Sequence, residues 1–236
     1  MTTTLITGAN KGLGFETARR LIAAGHTVYL GSRDAERGRR AAERLGARLV
    51  VLDVTDDASV AAAAKTVEAG GGGLDVLINN AGIEARTPDG GVIGAAEVTA
   101  GMMRQVFETN VFGVVRVTHA FLPLLRRSAA PVVVNVSSGL ASLDRVSTPD
   151  TPMHAYPGVA YPASKATVNM VTVQYAKAFP EMRINAVEPG YTATDLNAHT
   201  GHQTVEEGAE IIVRMATVGA DGPTGGYFDI EGTLPW

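Results

Sequence analysis

The sequence predicts an α/β fold, a doubly wound parallel sheet of about seven strands with helices on both faces. Short apolar or β-branched runs alternate with longer amphipathic stretches along the whole chain, which is the pattern of a parallel sheet covered on both faces. The length of 236 residues, 45% of them hydrophobic, falls within the range of one α/β unit. No internal repeat and no interdomain linker interrupts the alternation, so a single domain is expected over 1–236.

Taken in order, strands are expected at 4–7, 27–30, 48–52, 74–78, 131–136 and 183–187. Helices are expected at about 12–24, 35–45, 59–69, 101–127, 162–179 and 205–218. The run Gly70-Gly71-Gly72-Gly73 reads as a helix stop and flexible turn. Two stretches break the alternation. Residues 84–99 are Gly-rich and polar, and 139–160 carries Pro149, Pro152 and Pro157, which forbid a regular helix there. Both follow strands, on the side where such sheets bind ligands, and together with 191–204 they are read as substrate-side loops.

Lys plus Arg number 20 against 24 Asp plus Glu, a formal charge of -4, so nothing favours nucleic acid as a partner. The absence of Cys removes disulfides, thiolate nucleophiles and Cys-ligated metals. The first residues, from Met1, run directly into a Gly-rich loop without a secretion signal, and no apolar run approaches bilayer length. A soluble cytoplasmic protein with no membrane partner is expected. His154, His199 and His202 lie on two segments without ligand spacing, and no metal is expected.

Thr7-Gly8-Ala9-Asn10-Lys11-Gly12-Leu13-Gly14 joins the first strand to the first helix. Its glycines permit a tight turn and let a pyrophosphate approach backbone N–H groups at the positive helix end. A dinucleotide is the natural ligand, although the Gly-x-x-x-Gly-x-Gly spacing departs from the usual Gly-x-Gly-x-x-Gly. The second strand ends Gly31-Ser32-Arg33. An NAD site places a carboxylate there for the ribose 2′-OH, whereas an NADP site needs a cation for the 2′-phosphate. Arg33, with Lys11 as a second positive charge, therefore favours NADP(H), and Asp34 would act against it.

Tyr161 and Lys165 stand four apart on one helix face, behind a strand that ends Ser137-Ser138. Hydride transfer to a carbonyl leaves charge on oxygen, which needs a proton donor with a pKa brought down towards neutral. An adjacent ammonium does this by stabilising phenolate. Tyr161 is read as the donor, Lys165 as the group that tunes it, and Ser138, in preference to Ser137, as the hydroxyl that holds the carbonyl oxygen. Tyr156 has Ala160 rather than a cation four residues on, so it is expected to line the pocket or pack.

With Thr7-Gly8-x-x-x-Gly12-x-Gly14, Asp53-Val54, Asn79-Asn80-Ala81-Gly82, Asn110, Ser138, Tyr161-x-x-x-Lys165 and Pro189-Gly190-x-x-x-Thr194 all in order, the chain resembles the short-chain dehydrogenase/reductase family. The glycine loop and the ending 223–236 resemble its carbonyl reductase-like branch, which uses NADPH. The resemblance implies a Rossmann-type fold and places Gly8, Asn10, Lys11, Gly12, Leu13, Gly14 and Arg33 at the cofactor. It further implies that Asp53 and Val54 meet the adenine, that Asn79 and Ala81 border the ribose, and that Gly82 also touches the cofactor. Tyr161 and Lys165 also touch the cofactor, while Pro189, Gly190, Thr192 and Thr194 hold the carboxamide. Asn110 would anchor a water that relays protons to Lys165. Thr192 stands where the family has Val or Ile, and 139–160 exceeds the usual spacing. That insertion could shape specificity or obstruct pairing of subunits, which leaves monomer or homo-oligomer open.

The expected activity is NADPH-dependent reduction of a small-molecule aldehyde, ketone or quinone. A regulator that binds NADP(H) without turnover has no need of Tyr161, Lys165, Ser138 and Asn110 together. A ketoreductase confined to one pathway would differ only by a narrow substrate range. Leu143, Met153, His154, Tyr156, Leu196 and His199 are the expected pocket walls.

Overall fold

The structure, a computed structural model, describes residues 2–71 and 73–236; Met1 and Gly72 of the expected glycine turn lie outside the described residues. The strands are β1 (Thr3–Ile6), β2 (Thr27–Ser32), β3 (Arg48–Val51), β4 (Val76–Asn79), β5 (Val132–Val136), β6 (Arg183–Val187) and β7 (Tyr227–Phe228). They form one parallel sheet in the order β3-β2-β1-β4-β5-β6-β7. Strand order reverses between β1 and β4, which opens a crevice at their carboxyl ends, where such sheets take ligands. β7 has only two residues, too few for any periodicity to betray it, and it is the seventh strand that the sequence reading counted but did not locate.

The helices are α1 (Gly12–Ala23), α2 (Ala35–Leu45), α3 (Asp57–Ala69), α4 (Ala100–Phe107), α5 (Gly113–Leu125), α6 (Leu143–Ser147), α7 (Ala160–Ala178) and α8 (Val205–Ala216). One face of the sheet packs Ala18 and Leu21 of α1, Ala41 of α2 and Ile211, Ile212 and Met215 of α8. The other packs Val60 and Val67 of α3, Val117 and Phe121 of α5 and Ala176 of α7. Sandwiched in this way, β4 and β5 are buried at every residue, which explains why they are apolar except at Asn79 and Asn135, which bond each other. No helix among the described residues is long and apolar enough to cross a membrane.

Two expectations change. The single helix expected over 101–127 is split by a π turn, Glu108–Phe112, which ends α4 and starts α5. Wide turns of this kind insert one extra residue into the helical ladder. Here the turn carries the fully buried Asn110, whose Oδ1 accepts from the Ile83 amide at 2.8 Å and whose Nδ2 donates to the Ile83 carbonyl at 2.9 Å and to Ser164 Oγ at 3.0 Å. Within 139–160, a 3₁₀ turn at Gly139–Ala141 and the five-residue α6 form ahead of the first proline, where nothing yet forbids a helix.

Candidate active site

The glycine loop is sewn to the segment after β4. Thr7 Oγ1 accepts from the amides of Asn80 and Ala81 at 3.0 and 2.9 Å, and Asn80 Nδ2 donates to the carbonyls of Thr7 and Gly8 at 2.9 and 3.2 Å. The tightness of this seam is what demands glycine. A Cβ on Gly14 would meet Asn80 Nδ2 at 2.6 Å and the Gly8 carbonyl at 2.8 Å, while Gly8 and Gly12 sit at φ of +63° and +56°. The Ala9 amide donates to the Gly31 carbonyl at 2.9 Å, which brings the loop against the end of β2.

At that end Ser32 is buried and Arg33 is exposed and makes no ion pair among the described residues. Asp34 does not oppose it directly, because its carboxylate caps α2, accepting from the Arg37 amide at 2.9 Å and pairing with the Arg37 guanidinium. Lys11 is placed differently from expectation. Its Nζ lies 2.5 Å from Asp195 Oδ2, so it is tied to the segment after Pro189-Gly190 rather than turned beside Arg33. Asp53 accepts from the Thr55 amide and hydroxyl at 2.9 and 2.7 Å, and those bonds together with the charge of Arg33 outweigh burial and hold its carboxyl below the usual range. Asn10 and Leu13 lie half-buried within the glycine loop.

Several side chains assigned to the cofactor by resemblance face away from the crevice. Asn79 is turned into the sheet, donating to Thr118 Oγ1 at 3.2 Å and Asn135 Oδ1 at 2.8 Å, so only its backbone can border a ribose. Val54 packs on Gly113, where a Cβ would stand 2.9 Å from its Cγ2. Thr192 is buried with Oγ1 donating to the Pro189 carbonyl at 3.1 Å, and its own carbonyl accepts from Asn197 Nδ2 at 2.9 Å. Thr194 does face the glycine loop: a Cβ on Gly12 would lie 3.7 Å from its Cγ2. Gly190 sits at φ +80° and starts that turn. A dinucleotide fits this crevice, which has a glycine cradle along one side, an unpaired guanidinium at one end and Pro189-Gly190 at the other.

At the opposite end of the crevice the structure brings Ser138, Tyr161 and Lys165 together. The Ser138 hydroxyl lowers the pKa of the Tyr161 phenol, against the stronger effect of burial. Lys165 Nζ lies 5.6 Å from the Tyr161 ring centroid and donates to the Val136 carbonyl at 2.7 Å. A Cβ on Gly82 would be 3.5 Å from both Lys165 Nζ and Asn110 Oδ1, so Asn110 reaches the same space as Lys165. Ser137, by contrast, donates to Asn169 Oδ1 at 2.6 Å inside the core. Burial pushes the Lys165 ammonium down to about 8.

The expected lowering of Tyr161 is not what the chain's own groups produce. Burial foremost, then the negative charges of Glu84 and Glu188, push its pKa up, and the Ser138 hydrogen bond and Arg86 only partly oppose them. Glu84 and Glu188 were missed by the sequence reading. The one available signal was an acid beside a motif in each case, Glu84 just past Gly82 and Glu188 just before Pro189. Glu84 is nearly buried, pairs with Arg86 at 2.6 Å and accepts from the Tyr156 hydroxyl.

That last bond ties 84–99 to 139–160, as does an antiparallel bridge between Gly94 and Gly158. The two loops therefore form one cap, over a cavity of about 10 Å³ lined by Glu84, Met102, Tyr156 and Tyr161 among others. Among the expected walls, Tyr156 lines this cavity and Met153 reaches Gly139, whose Cβ would lie 3.1 Å from the Met153 methyl. Leu143 is 69% exposed and is no wall. His154 is bonded to the Val146 carbonyl and His199 to Asp195, both on the exposed surface, and Leu196 is half-buried.

The short chain dehydrogenase family matches residues 2–205. (+)-Neomenthol dehydrogenase of Capsicum annuum is 32% identical, with 95% of this chain and 94% of that protein covered. The solved structure of salutaridine reductase from Papaver somniferum matches with a TM-score of 0.85 at 29% identity, covering 97% of this chain and 99% of that one. The 3-ketoacyl-(acyl-carrier-protein) reductase from Brucella melitensis, solved with NADH bound, matches with a TM-score of 0.84 at 26% identity, covering 97% and 96%. The chain belongs to the short chain dehydrogenase family.

Proposed function

We propose that this protein reduces a small-molecule carbonyl compound to an alcohol with NADPH, with Tyr161 as the proton donor. The observation that carries the proposal is the placing of Lys165 Nζ 5.6 Å from the Tyr161 ring centroid, held there by the Val136 carbonyl at the end of β5, shortly before Ser138. The names of the relatives, a dehydrogenase of an alcohol and a reductase of a ketoacyl group, support the same couple. The unpaired Arg33 after Ser32, with Asp34 turned into its helix cap, supports NADPH over NADH.

The cofactor, when bound, supplies the hydride. Ser138 Oγ and Tyr161 Oη then hold the carbonyl oxygen, on which negative charge develops, and the tyrosine proton passes to it. A phenol pushed up by burial stays protonated at neutral pH, the form that reduction uses. Lys165, buried beside Gly82 and Asn110, is placed to return the proton, with the Asn110 turn anchoring the relay that the family resemblance implies. The test is NADPH consumption by wild type and Tyr161→Phe against aldehydes, ketones and quinones, with NADH in parallel. Tyr161-dependent turnover with an NADPH preference supports the proposal; tight NADPH binding with no turnover on any carbonyl overturns it in favour of a sensor.

A further inference from the structure

Glu188 follows β6 immediately before Pro189 and Gly190 and has no part in the reduction described above. Its Oε1 accepts from the Gly190 amide at 2.9 Å, and the carboxyl lies against Gly139. A Cβ on Gly139 would stand 3.5 Å from Oε1 and 3.1 Å from the Met153 methyl, so the carboxyl lies one residue from Ser138 on the wall that Met153 shares. Its charge is felt at Tyr161. Among the described residues no cation pairs with it: the nearest guanidinium, that of Arg145, is bound to Asp229 at 3.5 Å.

A carboxyl drawn partly out of water without a cation is costly, and the one backbone amide it accepts from offsets that cost only in part. The group remains half-buried rather than sealed, between the hydroxyl that receives the carbonyl oxygen and the turn before the nicotinamide contact. A donor on the substrate itself would complete its hydrogen bonding.

We propose that Glu188 is a specificity-determining residue that accepts a hydrogen bond from a hydroxyl or ammonium group beside the substrate carbonyl, so that the preferred substrates are hydroxy- or amino-carbonyl compounds. This rests on the carbonyl-reduction reading. Glu188→Gln keeps an oxygen for the Gly190 amide and removes the charge, which separates recognition from support of the Pro189-Gly190 turn.

The probes are cyclohexanone, α-hydroxycyclohexanone and α-aminocyclohexanone, with kcat/KM measured for wild type and Glu188→Gln. Comparing each ketone across the two proteins cancels its intrinsic reactivity. The ratio of amino to parent ketone is expected to fall about tenfold or more in the variant and that of hydroxy to parent ketone a few-fold. Which ratio falls further identifies the donor. If all three values drop together, or none changes, Glu188 only supports the turn and the proposal is overturned. The corresponding alcohols are also titrated into the complex with oxidised cofactor. Absence of Tyr161-dependent turnover would sink the reductase reading alone, and this titration would still decide Glu188: a wild-type preference for aminocyclohexanol over cyclohexanol that the variant loses supports it, and no preference overturns it.

Discussion

Lys11 in the glycine loop and Asp195 in the turn after Thr194 form an ion pair, Nζ to Oδ2 at 2.5 Å, that joins two walls of the crevice from positions 184 residues apart. His199 Nε2 holds the second oxygen of the same carboxylate at 2.7 Å. Both partners are more than half exposed, so the pair is a weak tie across the place where the pyrophosphate would lie. Lys11→Met and Asp195→Asn are accordingly expected to weaken NADPH and NADH alike, by less than about fivefold. Arg33→Ala should weaken NADPH by about 10- to 100-fold and leave NADH nearly unaffected, since a guanidinium bonded to a phosphate is worth about that much. Dissociation constants for both cofactors, from quenching of protein fluorescence, check the contrast. A Lys11 variant that discriminates as Arg33→Ala does would show that Lys11 leaves Asp195 to read the phosphate.

Tyr161→Phe removes the hydroxyl and keeps the ring under Lys165. Turnover should fall by at least about 100-fold with cofactor binding retained, the usual loss for a missing proton donor. Ser138→Ala should also lower kcat, whereas Ser137→Ala acts through the fold because Ser137 is committed to Asn169 inside the core. Steady-state kinetics for the three variants, with thermal melting alongside, distinguishes lost chemistry from lost structure.

The Gly8 to Gly14 loop and the Tyr161–Lys165 pair were legible because each is a local pattern: a strand-to-helix turn that only glycine can make, and two side chains one helical turn apart. The sheet was legible through the strongly apolar runs of its central strands, Val76 to Ile78 and Val132 to Val134. What stayed hidden depends on segments distant in sequence. Nothing near Lys11 announces Asp195, nothing near Glu84 announces Tyr156, and the inward turn of Asn79 follows from Thr118 and Asn135 on neighbouring elements. The raised pKa of Tyr161 was hidden for the same reason, since Glu84 and Glu188 reach it from two other segments.

Glu84 bears on the pH profile of the reverse reaction. If Tyr161 is the proton donor as proposed, alcohol oxidation uses its phenolate, and since burial, Glu84 and Glu188 hold its pKa above the ordinary value, oxidation should rise with pH through the alkaline range while reduction does not. Glu84→Gln removes one of the charges that disfavour phenolate and leaves the opposing Arg86 unpaired. The alkaline limb of kcat for oxidation should therefore move to lower pH, with Ser138 and Glu188 unchanged around the phenol. A limb that stays in place, or moves upward, would show that Glu84 does not act on Tyr161.

Lys165 gives the clearest coupling of stability to pH. Its folded pKa of about 8 lies below the ordinary 10.5, so the fold carries the ammonium at a cost that is full below pH 8, shrinks as pH rises and is gone above 10.5. At about 1.4 kcal/mol per pH unit the difference is on the order of 3 kcal/mol, which follows from burying a cation whose one acceptor among the described residues is the Val136 carbonyl at 2.7 Å. Lys165→Met should relieve that cost and leave the carbonyl unpaired, a loss of about 1 kcal/mol, so the variant should be more stable by about 2 kcal/mol at pH 7. By pH 10 the advantage should have disappeared. Urea unfolding of both proteins at the two pH values measures it, and an inactive variant that is stabilised at pH 7 alone would show that the fold holds this ammonium against its own stability for the sake of the site.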